Sequence, residues 1–421
     1  MFQSITEFLN LKDDEILTIV TNTTNESYNI ELTLKPKPHS CPNCGFVTSK
    51  IKSYYLRTIN HGIFLSRKCV VYYNQRRYIC KICNTSFTED FSLAAKNQKK
   101  SLASHLAIME LAKDPKHTFK NIAQILNLST STVIDHFYKN LPVFKTTLPE
   151  VLCIDEVYLG RKFSRKYATH ILDFKPNKTV EIIYGRTKGV FLSYFQKIPK
   201  SERDKVLFIC SDMFIGFKQL QLTQFPKAKL CVDSFHVIML INDMFNNYLK
   251  SLLKKYHDSS VEYYLLKHKR FVLLKNQSKI DWFKDEYDRK LGYHTKPLKY
   301  RELLFNVDPI IKDIYYLKED YLSFNRLRDP RVIPERFDLI VNKFCSHHYK
   351  EIKRVGRTLL KWKVEIINSF VWFNGKRISN GPIESRNNTI KLLIRNAAGY
   401  NNFEHLRLRS IYCVNFSKKE R

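Results

Sequence analysis

The sequence has no uninterrupted apolar run of about eighteen residues, so no transmembrane helix is expected. Its first residues, MFQSITEFLNLKDDEIL, lack a basic stretch ahead of the apolar ones and turn acidic at Asp13, Asp14 and Glu15. That is not the layout of a secretory signal. Cysteine is too sparse for a disulfide scaffold: ten in 421 residues, four of them in two CxxC pairs. A reducing, cytoplasmic compartment is the expectation. Acids are short as well, with 40 Asp and Glu against 71 Lys and Arg, a formal charge of +31. An excess of that size favours a polyanionic partner, above all nucleic acid. What remains is ordinary: a 44% hydrophobic fraction permits a sizeable core, and the length suits two to four domains.

The cysteine pairs are Cys41-Pro-Asn-Cys44-Gly and Cys80-Lys-Ile-Cys83, with 35 residues between them. Each pair can form a tight knuckle aiming two thiolates at one ion. Four sulfurs suit tetrahedral Zn2+ with no open position, a structural site. The intervening RKCVVYYNQRRYIC reads as a hairpin turning near Asn74, with Cys69 in its core; His39 is a weaker alternative ligand. Basic and aromatic residues interleave here, including Lys52, Tyr54, Arg76, Arg77 and Tyr78. Such a mixture suits a surface that tracks a DNA backbone, or a solvated face with Tyr packed beneath it.

Residues 92–113 read as one helix, broken at Asp114-Pro115. In TFKNIAQILNLSTSTVIDHFYKNL, the apolar residues Ile122, Ala123, Leu126, Leu128, Val133 and Phe137 are spaced for two short helices at a steep angle. Asn127 can take the left-handed turn position between them. Ser129 can cap the second helix. That puts Ser131, Thr132 and His136 near its outer face, which is helix-turn-helix spacing. Plain helix packing is the other reading.

After a boundary at Leu148-Pro149, EVLCIDEVY, YATHILDF and KTVEIIYG read as three strands. A helix follows, then the strand VLFIC ending at Asp212, a helix stopped by Pro226, and the strand LCV ending at Asp233. This order is expected of a ribonuclease-H-like fold. Asp155 lies inside the first strand, where an acid is costly unless it binds something. Asp212 sits at the carboxyl end of the fourth, where functional groups of such sheets collect, although Asp there also serves as a helix cap.

Residues 238–370 show no strand pattern and read as basic, aromatic helices. The His347-His348 pair reads as part of a solvated helix face. Beyond them, Asn380-Gly381-Pro382 opens a helix with Glu384 in its first turn. Arg386, Lys391 and Arg395 follow on it as candidate DNA contacts. Asp155, Asp212 and Glu384 would suit two divalent ions, Mg2+ or Mn2+, in phosphodiester transfer.

The motifs CPNCG, CKIC, IDEVYLGRK, SDMFIGF, VDSFHV and NGPIESRNNTIKLLIRNAAGYNNF, with the helix pair, resemble the bacterial ISL-type insertion-sequence transposases of the DDE class. The resemblance spans nearly the whole chain. It departs at Ser385, where glycine is common in the family. It implies that Asp155, Asp212 and Glu384 form the catalytic triad and that the late helices form an insertion domain. Asp233 and His236 then look like a D-x-x-H element supporting the acids. The implied partners are the element's terminal repeats and target DNA, bound by a homodimer, with no membrane. The expected domains are a zinc ribbon over 1–90, a helix-turn-helix over 91–147, a ribonuclease-H-like core over 148–256 and 371–421, and a helical insertion over 257–370. The alternative is a DNA-binding regulator descended from a transposase and no longer catalytic.

Overall fold

The computed structural model describes residues 2–64, 66–142, 147–397 and 400–417. Their contacts sort into two compact units, one of residues 1–145 with 389–421, the other of residues 146–388.

The first unit opens with helix α1 (Phe2–Leu9), which the sequence pattern does not predict. Strands β1 (Ile16–Thr23) and β2 (Ser27–Leu34) form where alternation places them. The short pair β3 (His39–Ser40) and β4 (Val47–Thr48) flanks the first knuckle, and β5 (Ile51–Phe64), β6 (Arg67–Ile79) and β7 (Ser86–Thr88) follow. The sheet runs β1-β2-β6-β5, with β7 also on β6. One expectation is corrected here. Asn74 is no turn: it lies inside β6 opposite Leu56. A single exposed polar residue on an otherwise alternating strand does not break it, because Val71, Tyr73 and Gln75 keep the other face buried. The chain reverses instead beside Ser66, which takes φ 63°. Cys69 is core, as expected, with Ile30, Leu32, Ile59 and Val71.

Residues 92–101 are also not helical. Phe91, Leu93 and Ala94 pack into the sheet's core. Helix α2 (Leu102–Leu111) starts only where Ser101 can cap it by accepting from the Ser104 N–H. Helices α3 (Phe119–Ile125) and α4 (Thr130–Lys139) match expectation. Asn127 takes φ 49° between them, and Ser129 accepts from the Thr132 N–H. Ile122, Val133 and Phe137 close a small core with Ile108 and Ala112.

The second unit centres on a five-stranded sheet of β8 (Val151–Tyr158), β9 (Tyr167–Asp173), β10 (Lys178–Tyr184), β11 (Phe208–Ser211) and β12 (Lys229–Val232), in the order β10-β9-β8-β11-β12. The first three are antiparallel neighbours; β11 runs parallel to β8 and to β12. Strand β8 is central, so its first four residues are buried on both faces and read as a continuous apolar run. Helices α5 (Lys188–Phe195) and α6 (Lys200–Arg203) precede β11, and α7 (Ile215–Gln224) crosses to β12. In α7, Phe217 and Leu220 are buried, while Leu222 and Phe214, the residue just before the helix, face solvent.

Helix α8 (Ser234–Leu253) leads into the helical stretch of α9 (Val261–Tyr264), α10 (Phe271–Leu274), α11 (Pro297–Val307), α12 (Pro309–Phe324), α13 (Ile333–Ser346), α14 (Lys350–Lys361) and α15 (Lys363–Asn368). One small hairpin interrupts the expected all-helical pattern, β13 (Glu286–Asp288) with β14 (Tyr293–Thr295), and a second, β15 (Trp372–Phe373) with β16 (Lys376–Arg377), follows that stretch. Strands of two or three residues are too short to show alternation. His347 and His348 stack between α13 and α14 rather than on a helix face, and His347 meets Asp313 at 3.2 Å.

Helix α16 (Gly381–Asn396) begins in the second unit, and its residues from 389 on group with the first, as does α17 (Phe403–Phe416). Tyr412 of α17 joins the Val133–Phe137 core. Arg409 is buried there and donates to the carbonyls of Ala112 and His117. The stretch 371–421 is thus divided between the units. No helix among the described residues is long and apolar enough to cross a membrane.

Candidate active site and metal centre

Tight turns follow both knuckles, with Gly45 at φ 74° and Asn84 at φ 53°. They bring the sulfurs of Cys41, Cys44, Cys80 and Cys83 within 4.8 Å of one another. Cys41 Sγ lies 3.5 Å from Cys83 Sγ, and Cys44 Sγ lies 3.5 Å from Cys80 Sγ. Zinc bonded to each sulfur at about 2.3 Å spaces tetrahedral sulfurs by roughly 3.8 Å, so the cluster fits it. Hydrogen bonds from the Thr85 hydroxyl and backbone N–H pull the Cys83 thiol down to about 5. At Cys44 a backbone hydrogen bond from Phe46 also pulls down. Burial and the neighbouring thiols outweigh it and push that group up to about 12. The Cys83 thiolate therefore forms readily, whereas Cys44 holds its proton until a cation displaces it. His39 stays outside this cluster, against Tyr78 and near Glu89.

The acids occupy the second unit. Asp155 lies in β8 with its side chain fixed twice: Oδ1 accepts the Glu156 N–H at 2.8 Å and Oδ2 accepts from Asn387 Nδ2 at 2.7 Å. Glu156 turns to Arg186 at 2.7 Å. Arg186 in turn sits 4.0 Å over the Tyr167 ring. Asp212 follows the end of β11. It is not a helix cap, since α7 takes Phe214 in that position. Asp212 Oδ1 is buried with no hydrogen-bond partner. Burial pushes its pKa up to about 6; Asp155 and Glu156 add to the shift and His236 opposes it. A carboxylate held this way keeps its proton more tightly than an exposed one.

Asp233, just after β12, is buried and accepts the Asn380 N–H at 3.2 Å. Burial raises its pKa, Asn380 and His236 lower it, and Glu384 raises it. The Asn380 side chain donates to the Ile154 carbonyl at 3.1 Å, one residue before Asp155. Two asparagines therefore clip the start of α16 to β8, Asn380 before Glu384 and Asn387 one turn after it. Glu384 itself is exposed in the first turn. Charge interactions link Asp212 with Asp155 and Asp233 with Glu384. Among the described residues, only the four cysteines bring three or more such ligand atoms within 4.8 Å of one another.

Sequence reasoning missed Asn380, Asn387, His170 and Thr179. His170 in β9 lies opposite Asp155 and is fully buried. It contacts Asn387 Oδ1 at 2.7 Å and Thr179 Oγ1 at 2.8 Å. Burial pushes its pKa down to about 4, so the ring is neutral at ordinary pH. The available signals were a lone histidine in an apolar strand and an asparagine three residues beyond Glu384, on the same helix face.

The family comparison decides the wider reading. A transposase family profile of the ISL3 type matches residues 152–410. The chain belongs to the ISL3 transposase family. A second profile, the zinc finger of transposases IS204, IS1001, IS1096 and IS1165, matches residues 37–83 and covers all four cysteines. The transposase for insertion sequence element IS1001 of Bordetella parapertussis is 19% identical over 391 residues, which is 90% of each chain. The four-cysteine cluster of this ISL3-type transposase is thus a structural zinc site by geometry and by family.

The candidate DNA contacts divide into outward and inward groups. Arg77, Ser131, Lys391 and Arg395 are exposed, and Thr132 is half-buried. Arg76 is buried, with its guanidinium on Glu89 and on the carbonyls of Leu34 and Lys35, so its charge is held inside the sheet unit. His136 turns to His105 at 2.8 Å, and Arg386 turns to Asn177 at 3.2 Å.

Proposed function

We propose that this transposase binds the terminal repeats of an insertion sequence. In this reading it cuts and joins DNA at a ribonuclease-H-like site formed by Asp155, Asp212 and Glu384. One observation carries it: Asp212, at the carboxyl end of β11, keeps a buried oxygen without a hydrogen bond while sharing its surroundings with Asp155. Such a group is uncompensated until a cation arrives. The sheet order, with three antiparallel strands followed by two parallel ones, supports the fold reading. The helices from Val261 to Asn368 take the place of an insertion.

Asp155, Asp212 and Glu384 would hold divalent ions, Mg2+ or Mn2+. When bound, such ions supply the positive charge that favours an attacking oxygen and a leaving one. The chain's own residues prepare the site. Asn387 fixes the Asp155 carboxylate, Arg186 draws Glu156 away from it, and Asp233 with Asn380 anchors the turn that presents Glu384. Oxygen ligands with few other constraints suit magnesium, which keeps several of its waters.

DNA recognition is assigned to the first unit. Helix α4, preceded by the Asn127 turn, would enter the major groove as the second helix of a helix-turn-helix, presenting Ser131 and Thr132. Arg77, Lys391 and Arg395 would meet phosphates. An element has two ends, which supports action by a pair of chains.

The test is incubation of the full chain with labelled element ends and Mg2+, resolving cleavage from joining. The reading expects both products. Binding without either product, in Mg2+ or Mn2+, would favour a regulator that has lost catalysis.

A further inference from the structure

We propose that His170 and Thr179 act as positioning residues that set the direction of a hydrogen-bond chain ending on Asp155, and through it the acidic site's affinity for divalent cations. The inference rests on the reading of that site given above.

The direction follows from the chemistry of each member. An ionised carboxylate can only accept. Asn387 therefore presents its NH2 group to Asp155 Oδ2, 2.7 Å away. Its carbonyl oxygen is then left facing His170 Nδ1, at 2.7 Å. An oxygen there needs a donor, so the hydrogen of the neutral ring sits on Nδ1. Nε2 is then a lone pair, and the Thr179 hydroxyl 2.8 Å away donates to it. With Asp155 ionised, the chain runs from Thr179 to His170 to Asn387 to Asp155.

Its burial makes the direction consequential. His170 is 0% exposed, Asn387 2% and Thr179 4%, so water does not replace a lost link. An Asn amide can rotate half a turn with little change of shape. What holds it here is acceptors on one side and a donor on the other: the Asp155 carboxylate and the Glu156 carbonyl, the latter at 3.5 Å, meet its NH2, and the Nδ1 hydrogen of His170 meets its oxygen. With the ring protonated on Nε2 instead, Nδ1 would set a lone pair against the amide oxygen, and the amide could satisfy Asp155 or His170 but not both. The Thr179 hydroxyl satisfies the Nε2 lone pair that the productive tautomer leaves buried, at two removes from the acid.

Groups that orient metal ligands typically change affinity by about 10–100-fold when lost. The experiment is Mn2+ binding to the zinc-loaded full chain, followed by electron paramagnetic resonance of the free ion, with melting temperatures in parallel. Thr179→Val removes one hydroxyl at nearly constant shape, and we expect affinity to fall by about 10-fold or more. His170→Leu should fall at least as far. His170→Asn, whose side-chain NH2 can donate in place of Nδ1–H, should recover much of the loss. Unchanged affinity in folded Thr179→Val would overturn the inference. So would equal loss in His170→Asn and His170→Leu, which would indicate packing alone. Should His170→Leu fail to fold, Thr179→Val decides. If the unmodified chain binds no Mn2+, the active-site reading itself fails, an outcome distinct from the others.

Discussion

Asp233 accepts the backbone N–H of Asn380 at 3.2 Å across 147 residues of chain. This bond closes the long helical excursion and returns the chain to the sheet beside β8. Asp233→Ala would leave a buried N–H without a partner, at a cost of about 1–3 kcal/mol. Asp233→Asn keeps an acceptor oxygen. We expect Asp233→Ala to lower both the melting temperature and DNA cleavage, and Asp233→Asn to retain most of the stability. Thermal melts with a cleavage assay check this; equal melting of Asp233→Ala and the unmodified chain would refute it.

Zinc should be found at about one ion per chain. Cys80→Ser should lose it, together with the stability that metal ligation gives a small ribbon. Metal analysis of the purified variant is sufficient. Full zinc retention would count against the four-sulfur site.

Arg76 and Arg77 are neighbours with opposite fates. Arg76→Ala strands the buried Glu89 carboxylate and should destabilise the chain by about 3–5 kcal/mol. Arg77→Ala should leave stability unchanged. If Arg77 meets a phosphate, its loss lowers the slope of log affinity against log salt by about 1. Chemical denaturation and a salt titration of DNA binding separate the two. A stable Arg76→Ala variant would contradict the inward assignment.

Asp212 gives a pH dependence of defined sign. Its folded pKa of about 6 lies above its ordinary value of 3.8, so its contribution to stability is fully present below 3.8 and is lost as pH rises through 6. In metal-free protein, Asp212→Asn removes that loss. It should raise the melting temperature at pH 7.5 by roughly 2–4 °C. The advantage should shrink as pH falls through 6 and vanish near 4. An advantage independent of pH would mean that the carboxylate is not strained.

Much of this was legible in the sequence because it is local. The CxxC knuckles, the Asn127 turn and the Ser129 cap are each written within a few residues. The strand and helix order around Asp155 and Asp212 follows from short apolar runs ending on an acid. The misplaced features depend on distant partners. Leu93 and Ala94 fall in a stretch that reads as helix, yet with Phe91 they are claimed by the sheet of the first unit. Arg76 looks like any surface arginine until Glu89 is seen beneath it. The Asn387–Asp155 bond joins residues 232 apart, and no local pattern announces it.

The central claim is that Asp155, Asp212 and Glu384 carry the chemistry. The most direct measurement is strand transfer of a pre-cleaved element end into a plasmid target, run beside end binding. Asp155→Asn, Asp212→Asn and Glu384→Gln are each expected to abolish joining while end binding stays near that of the unmodified chain. Glu156→Gln, whose parent carboxylate faces Arg186, is expected to keep joining. Joining by Glu384→Gln at the unmodified rate would contradict the account.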